Sequence, residues 1–389
     1  MGDDDFDDLV GFLQDAKPEV RRLAAEGVLA QTECQEFLEY CTRKPRSVAR
    51  PLLRLAESAD AQAAAAGPED EPAEAGGPRR QKKAELQEAE TIAGGKAALQ
   101  ALVNLSAVPA VRDELVSLGA PRRCAEALRS GWLEGSTTGL SHWQAMLLAN
   151  VTTVRPAQET LAADEGLLRF LLAAYVAKAQ PPSEDGGEEV EDPMQSLGKV
   201  IGNVCALAEG RAVVAGGDKG PGGVASLLAH LGRRERRPDV LSVMRNLCVD
   251  KDYHAVVCGA DLLARMSGFL YPWEKAEASS GKQLPAELRE RLAQGGCALT
   301  GEAAVRSAAA GCVLGLCRTA EGRAYLRGPL PGEILRAWAG EEQEPSARDA
   351  LQAVLKTVDM SEDEVEAFAA GGGAAPPPAG AGLEDVDGD

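Results

Sequence analysis

Aromatic residues make up only 4% of this 389-residue chain, and there are only three histidines, His142, His230 and His254, in three separate segments. Strands favour aromatic and β-branched side chains, so the shortage argues against a sheet protein. Alanine, leucine, glutamate, arginine and glutamine fill the space instead, and these are good helix formers. Basic charge is also short, with 41 Lys and Arg against 60 Asp and Glu, a net charge of −19. Nucleic-acid binding draws much of its affinity from Lys and Arg on phosphates, and anionic membrane surfaces repel such a chain, so neither is expected as a partner. The richest apolar stretch, Leu167 to Ala177, is short and interrupted by Arg169. A bilayer needs ~20 apolar residues, so no membrane span is expected. The start, MGDDDFDDLV, is acidic where a secretory leader is basic, and the expectation is that no signal peptide is present.

The nine cysteines form no CxxC pair and no zinc spacing. Several stand inside apolar helical patterns, where a thiol behaves as a small hydrophobe. The reading is a reducing compartment, cytoplasm or nucleus, with buried thiols, no metal and no cofactor. Catalytic motifs are missing too. Neither HExxH, GxSxG nor GxxxxGK[ST] occurs, so no catalytic residue is assigned and the chain reads as a non-enzyme.

What is present is a repeat. The segments ALVNLSAVPAVRDEL (101–115), LLANVTTVRPAQETL (147–161), VIGNVCALAEGRAVV (200–214), VMRNLCVDKDYHAVV (243–257) and VLGLCRTAEGRAYL (313–326) align on Asn104, Asn150, Asn203, Asn246 and Gly315. With that column as zero, position −2 is Leu102, Leu148, Ile201, Met244 and Val313, and +1 is Leu105, Val151, Val204, Leu247 and Leu316. Position +2 is small (Ser106, Thr152, Cys205, Cys248, Cys317), and +11 is apolar again (Leu115, Leu161, Val214, Val257, Leu326). Residues three apart share a helical face, and the break after +3 turns the chain into a second helix. The zero positions are 46, 53, 43 and 69 residues apart. That is the HEAT/armadillo range of ~40–47 wherever no loop intervenes.

The fold expected is therefore all-α, an armadillo/HEAT-like α-solenoid of roughly six repeats closed by polar ends. Residues 1–56 read as an N-terminal helical repeat and 57–84 as a disordered linker. Residues 85–368 read as the array, with loops at 179–193 and 272–302, and 369–389 as a disordered acidic tail. A short helix is expected in LPAELRERL after Pro285. The basic clusters 79–83 and 233–237 read as solvated loops, with a nuclear address as the alternative for each. His254, at position +8 where other copies have Arg112, Gln158, Arg211 and Arg323, reads as a helix-terminal polar residue.

The asparagine column has two readings, a side chain bonding local backbone or a ladder holding an extended peptide. Peptide-binding armadillo repeats pair such a ladder with a tryptophan one turn earlier, but position −4 here is Gln100, Met146, Lys199 and Ser242. An import receptor is disfavoured accordingly, although a general peptide- or protein-binding adaptor remains the alternative. The candidate protein-binding residues are Asn104, Asn150, Lys199, Asn203, Arg245 and Asn246. Arg245 is included because it is a charge inside an otherwise apolar helix.

Three stretches resemble a known family: LVGFLQDAKPEVRRLAAEGVLAQT, then VLSVMRNLCVDKDYHAVV, then LPAELRERL with VRSAAAGCVLGLCRTAEGRAYLR and ILRAW. Together they are similar to the eukaryotic armadillo-type cochaperones for translation elongation factor 2, also called brain-protein-sixteen-like, over about residues 9 to 358 with the insertion 57–83 outside the resemblance. The resemblance implies a non-enzymatic adaptor, and the chain is expected to be a monomer. It would bind newly made elongation factor 2 and present it to chaperone machinery, the chaperonin and Hsp90-type systems.

Overall fold

The computed structural model describes residues 2–65, 78–133, 140–177, 192, 194–216, 223–271, 299–361 and 363–364. Among these residues the protein is all-α, with no strand. It divides into two compact units, Met1–Val204 and Cys205–Asp389.

The first unit contains α1 (Asp3–Phe12), α2 (Pro18–Gln31), α3 (Gln35–Arg43), α4 (Pro45–Ala65), α5 (Pro78–Leu105), α6 (Pro109–Ser117) and α7 (Ala120–Leu133). It continues with α8 (Ser141–Val151), α9 (Arg155–Ala162), α10 (Glu165–Val176) and α11 (Leu197–Val204). Local chemistry explains many of the starts. Prolines 18, 109 and 156 open α2, α6 and α9, where their missing N–H costs nothing. Asp164 caps α10 by accepting from the Leu167 N–H at 3.0 Å. From α2 on, the unit has a period of three helices. The α2 helix packs on α5, α5 on α8 and α8 on α11, while α3 packs on α6, α4 on α7 and α7 on α10. An aromatic cluster of Phe6, Phe37 and Tyr40 joins α1 to α3, with the Tyr40 hydroxyl donating to Asp7 at 2.7 Å.

The second unit contains α12 (Ala208–Ala215), α13 (Val224–Leu228), α14 (Arg237–Val249), α15 (His254–Gly259) and α16 (Leu262–Leu270). After these come α17 (Ala303–Leu316), α18 (Ala320–Leu326), α19 (Pro329–Glu341) and α20 (Pro345–Thr357). The same period recurs: α14 packs on α17, α15 on α18, α16 on α19 and α17 on α20.

The apolar columns form the core. All five residues at −2 and all five at +1 are fully buried, as are Leu115, Leu161, Val214, Val257 and Leu326 at +11. The cysteines at +2 are buried as well, and burial pushes the Cys205 thiol up to about 12 and the Cys317 thiol up to about 11.

Two expectations need correction. The segment 57–84 is not a disordered linker at its ends, because α4 runs on to Ala65 and α5 begins at Pro78. Alanine's high helix propensity carries α4 onward, and contact with α5 holds it there. Ala59 is buried, and a Cβ placed on Gly95 of α5 would lie 2.1 Å from the Ala59 Cβ, so only glycine permits this approach. Residues 66–77 lie outside the described residues, as do most of 179–193 and 272–302, the LPAELRERL segment and the tail 369–389. The cluster 233–237 is not a solvated loop. Arg236 is 1% exposed with Nη1 3.4 Å from His230 Nδ1. Arg237 donates to the Leu231 carbonyl at 3.0 Å and lies over the Phe269 ring.

Candidate protein-binding face

The asparagine column lies at the C-terminal ends of α5, α8, α11 and α14. In the first unit its members make the same bond. Asn104 Nδ2 donates to Thr32 Oγ1 at 2.9 Å. Asn150 Nδ2 donates to Ser106 Oγ at 2.8 Å and to the Val103 carbonyl at 3.2 Å. Asn203 Nδ2 donates to Thr152 Oγ1 at 3.1 Å and to the Ala149 carbonyl at 3.3 Å. Each asparagine therefore ties its helix to the +2 hydroxyl of the equivalent helix before it. That hydroxyl in turn donates back into its own helix end, as Ser106 does to the Val103 carbonyl and Thr152 to the Leu148 carbonyl. The partner of Asn104 also places Thr32 at +2 of the first copy, with Val28 at −2 and Cys41 at +11, both fully buried. This geometry spends the asparagine amide N–H groups on cohesion between helices. Their exposure differs: Asn104 is exposed, Asn150 and Asn203 are half-buried, and Asn246, in the second unit, is 8% exposed.

Position +8 also has a repeated role. Gln158 Nε2 donates to the Thr152 carbonyl at 2.9 Å, Arg211 Nη1 to Cys205 at 3.2 Å and Arg323 Nη1 to Cys317 at 2.9 Å. His254 Nε2 lies 2.7 Å from the Cys248 carbonyl. Each closes the turn by satisfying a carbonyl that the end of the preceding helix leaves open, and a cation there also suits the helix dipole. Because a carbonyl only accepts, Nε2 of His254 carries the proton. Its Nδ1 then accepts from the Thr319 hydroxyl at 2.8 Å, which itself accepts from the Gly322 N–H. Both ring nitrogens are engaged, and burial lowers the imidazole pKa. A general base needs a free nitrogen beside its substrate, which His254 lacks. A parallel set, invisible in the alignment, closes the turns before α2, α14 and α17: Arg21 bonds the Asp15 carbonyl, Arg237 the Leu231 carbonyl and Arg306 the Thr300 carbonyl. In every one of these bonds donor and acceptor are six residues apart, and that spacing is the signal that could have revealed the second set.

Lys199 is exposed on α11 and Arg245 is half-buried on α14. Arg245 directs its methylene stem along α17, where a Cβ on Gly311 would lie 3.4 Å from Arg245 Cδ. In the same unit other arginines are paired: Arg211 with Asp250, Arg234 with Glu302 and Arg306 with the buried Glu342. Glu342 additionally accepts from Trp338 Nε1 at 2.7 Å, so that cluster is occupied by the core of the unit. Among the described residues no group of three or more His, Cys, Asp and Glu side chains could hold a metal ion. Nor is any helix there long and apolar enough to cross a membrane.

No family model and no curated protein matches the chain. Among the solved structures similar to it are two engineered proteins from the Northeast Structural Genomics Consortium. One is 12% identical with a TM-score of 0.41, covering 92% of this chain and 99% of its own. The other is 15% identical with a TM-score of 0.46, covering 96% and 93%. Likeness at this level assigns neither a family nor a function.

Proposed function

We propose that the chain is an armadillo/HEAT-like α-solenoid of roughly six three-helix repeats. In this reading it works as a non-enzymatic, protein-binding scaffold, a cytoplasmic cochaperone that assists folding of translation elongation factor 2. The observation that carries the scaffold reading is that, within each unit taken by itself, helices such as α5 and α8 or α14 and α17 pack on the helix three places further along, with asparagine ties in the first unit and carbonyl-closing side chains at position +8. Such a chain presents equivalent helix faces in series, which suits an extended protein ligand. The client assignment rests on the RNLC, LPAEL and TAEGR segments and their likeness to the cochaperones. The test is co-purification of the tagged chain from its own cells, read by mass spectrometry. Enrichment of elongation factor 2 above an unrelated all-helical control is the expected result. A chain that enriches it no better than the control is not a cochaperone for that client.

A further inference from the structure

We propose that Arg245 and Arg318 form a two-arginine clamp on the exposed face of α14 and α17, and that it takes a carboxylate-bearing, acidic stretch of an extended protein partner. This rests on the scaffold reading and deepens it by naming the chemistry of the partner. Three observations converge. Arg245 is half-buried, yet among the described residues its guanidinium makes neither an ion pair nor a hydrogen bond. In a chain with 60 carboxylates against 41 basic side chains, an unpaired guanidinium at such a depth is conspicuous, because partial burial of an uncompensated charge is unfavourable. The Arg245 stem lies against α17 at Gly311, where a Cβ would meet Arg245 Cδ at 3.4 Å, so the methylenes pack on the neighbouring helix while the guanidinium has no partner there.

The second arginine comes from the adjacent helix end. Arg318 is exposed and donates Nη1 to the Val249 carbonyl at 3.2 Å, which fixes it beside the end of α14 and leaves its other N–H groups open. Arg245 and Val249 are one turn apart on α14, about 6 Å along the axis. Gly311 and Arg318 are two turns apart on one side of the α17 helix and the turn after it. By helical spacing the two arginines therefore bracket a strip that holds Ser242, Gly311 and Leu314, and all three are only half-buried. Lys356 of α20 adds a third exposed cation on the next helix, while Asp349 lies two turns earlier on α20. Planar guanidiniums bind carboxylates in paired hydrogen bonds, so aspartate or glutamate side chains at extended spacing fit this strip better than a phosphate or a neutral peptide. The repulsion of a chain whose net charge is −19 makes acidic ligands poor non-specific binders, so any binding reports a local site.

The experiment uses the full chain and a short fluorescein-labelled peptide of alternating aspartate and serine, with its asparagine–serine counterpart as control, read by anisotropy. The parent is expected to bind the acidic peptide and not the neutral one. Arg245→Gln should weaken binding roughly threefold and Arg245→Gln with Arg318→Gln roughly tenfold. Arg245→Lys with Arg318→Lys should retain part of the affinity, and Arg50→Gln, an exposed position in the other unit, should change nothing. Unchanged melting of the glutamine variants verifies folding; if they melt early, the lysine pair is compared with Arg50→Lys instead. Equal binding of both peptides, equal loss with Arg50→Gln, or undiminished binding by the double variant overturns the clamp. If elongation factor 2 co-purifies with the parent and with the double variant alike, the clamp fails and the client stands. If it never co-purifies but acidic-peptide binding depends on Arg245, the client fails and the clamp stands.

Discussion

Replacing Asn150 with alanine tests the asparagine bonds that tie one helix to the equivalent helix before it. Asn150 makes two donor bonds to the end of α5 and the turn after it, to Ser106 Oγ at 2.8 Å and to the Val103 carbonyl at 3.2 Å. Each is worth about 1 kcal/mol net, and buried acceptors left unsatisfied cost more. Ser106 is 2% exposed and Val103 7% exposed, so water cannot readily replace the amide. The Ser106 hydroxyl still donates to the Val103 carbonyl at 2.5 Å, which limits the loss. The total is about 1–3 kcal/mol, or a fall in Tm of roughly 3–10 °C for a unit of this size. Asn104→Ala should cost less, about 0.5–1 kcal/mol, because Asn104 is exposed and makes a single bond to Thr32. Urea titration followed by circular dichroism measures both, and a cycle with Ser106→Ala should show a coupling of about 1 kcal/mol. Asn150→Ala unfolding at the parent's midpoint, or a cycle without coupling, would refute the role given to the asparagine column.

Leu148→Ala should destabilise by roughly 2–5 kcal/mol, since Leu148 is fully buried at the −2 column, and thermal melts check it. Deleting 57–83 should lower stability by roughly 2 kcal/mol or more, because it removes buried Ala59 and the Asp60–Gln144 bond of 2.6 Å, and a melt matching the parent would contradict the packing of α4. Burial pushes the Asp60 carboxyl up to about 7, against the opposing hydrogen bond from Gln144 and with added repulsion from Glu57. The folded state thus holds this proton more tightly than the unfolded chain. Its stabilising effect is full below the ordinary carboxylate pKa near 4 and is lost as pH rises through about 7. Asp60→Asn, which keeps an acceptor for Gln144, should therefore raise Tm relative to the parent more at pH 8 than at pH 5, and equal differences at the two pH values would count against the burial argument.

The helices and the core columns were legible in the sequence because they are local. Apolar residues at −2 and +1 share a face by helical periodicity, and Leu102, Leu148, Ile201, Met244 and Val313 are all buried where that periodicity places them. The role of His254 was legible for the same reason: its place in the +8 column made it a helix-terminal residue, and its bond is only six residues long. What the tertiary structure decided lies between helices. Nothing near Asn150 in sequence names Ser106, 44 residues earlier, as its partner; helix packing sets that pairing. Asn246, read as a candidate ligand contact, is nearly covered for the same reason, whereas its neighbour Arg245 is half-buried and lays its stem beside Gly311 of a helix far along the chain. The alanine-rich end of α4 looked too weakly apolar to order. It is helical because Gly95 admits Ala59 at close range and Gln144 reaches Asp60 from α8. Composition reports what a segment can bury by itself, and only the packed neighbours determine whether it has somewhere to bury it.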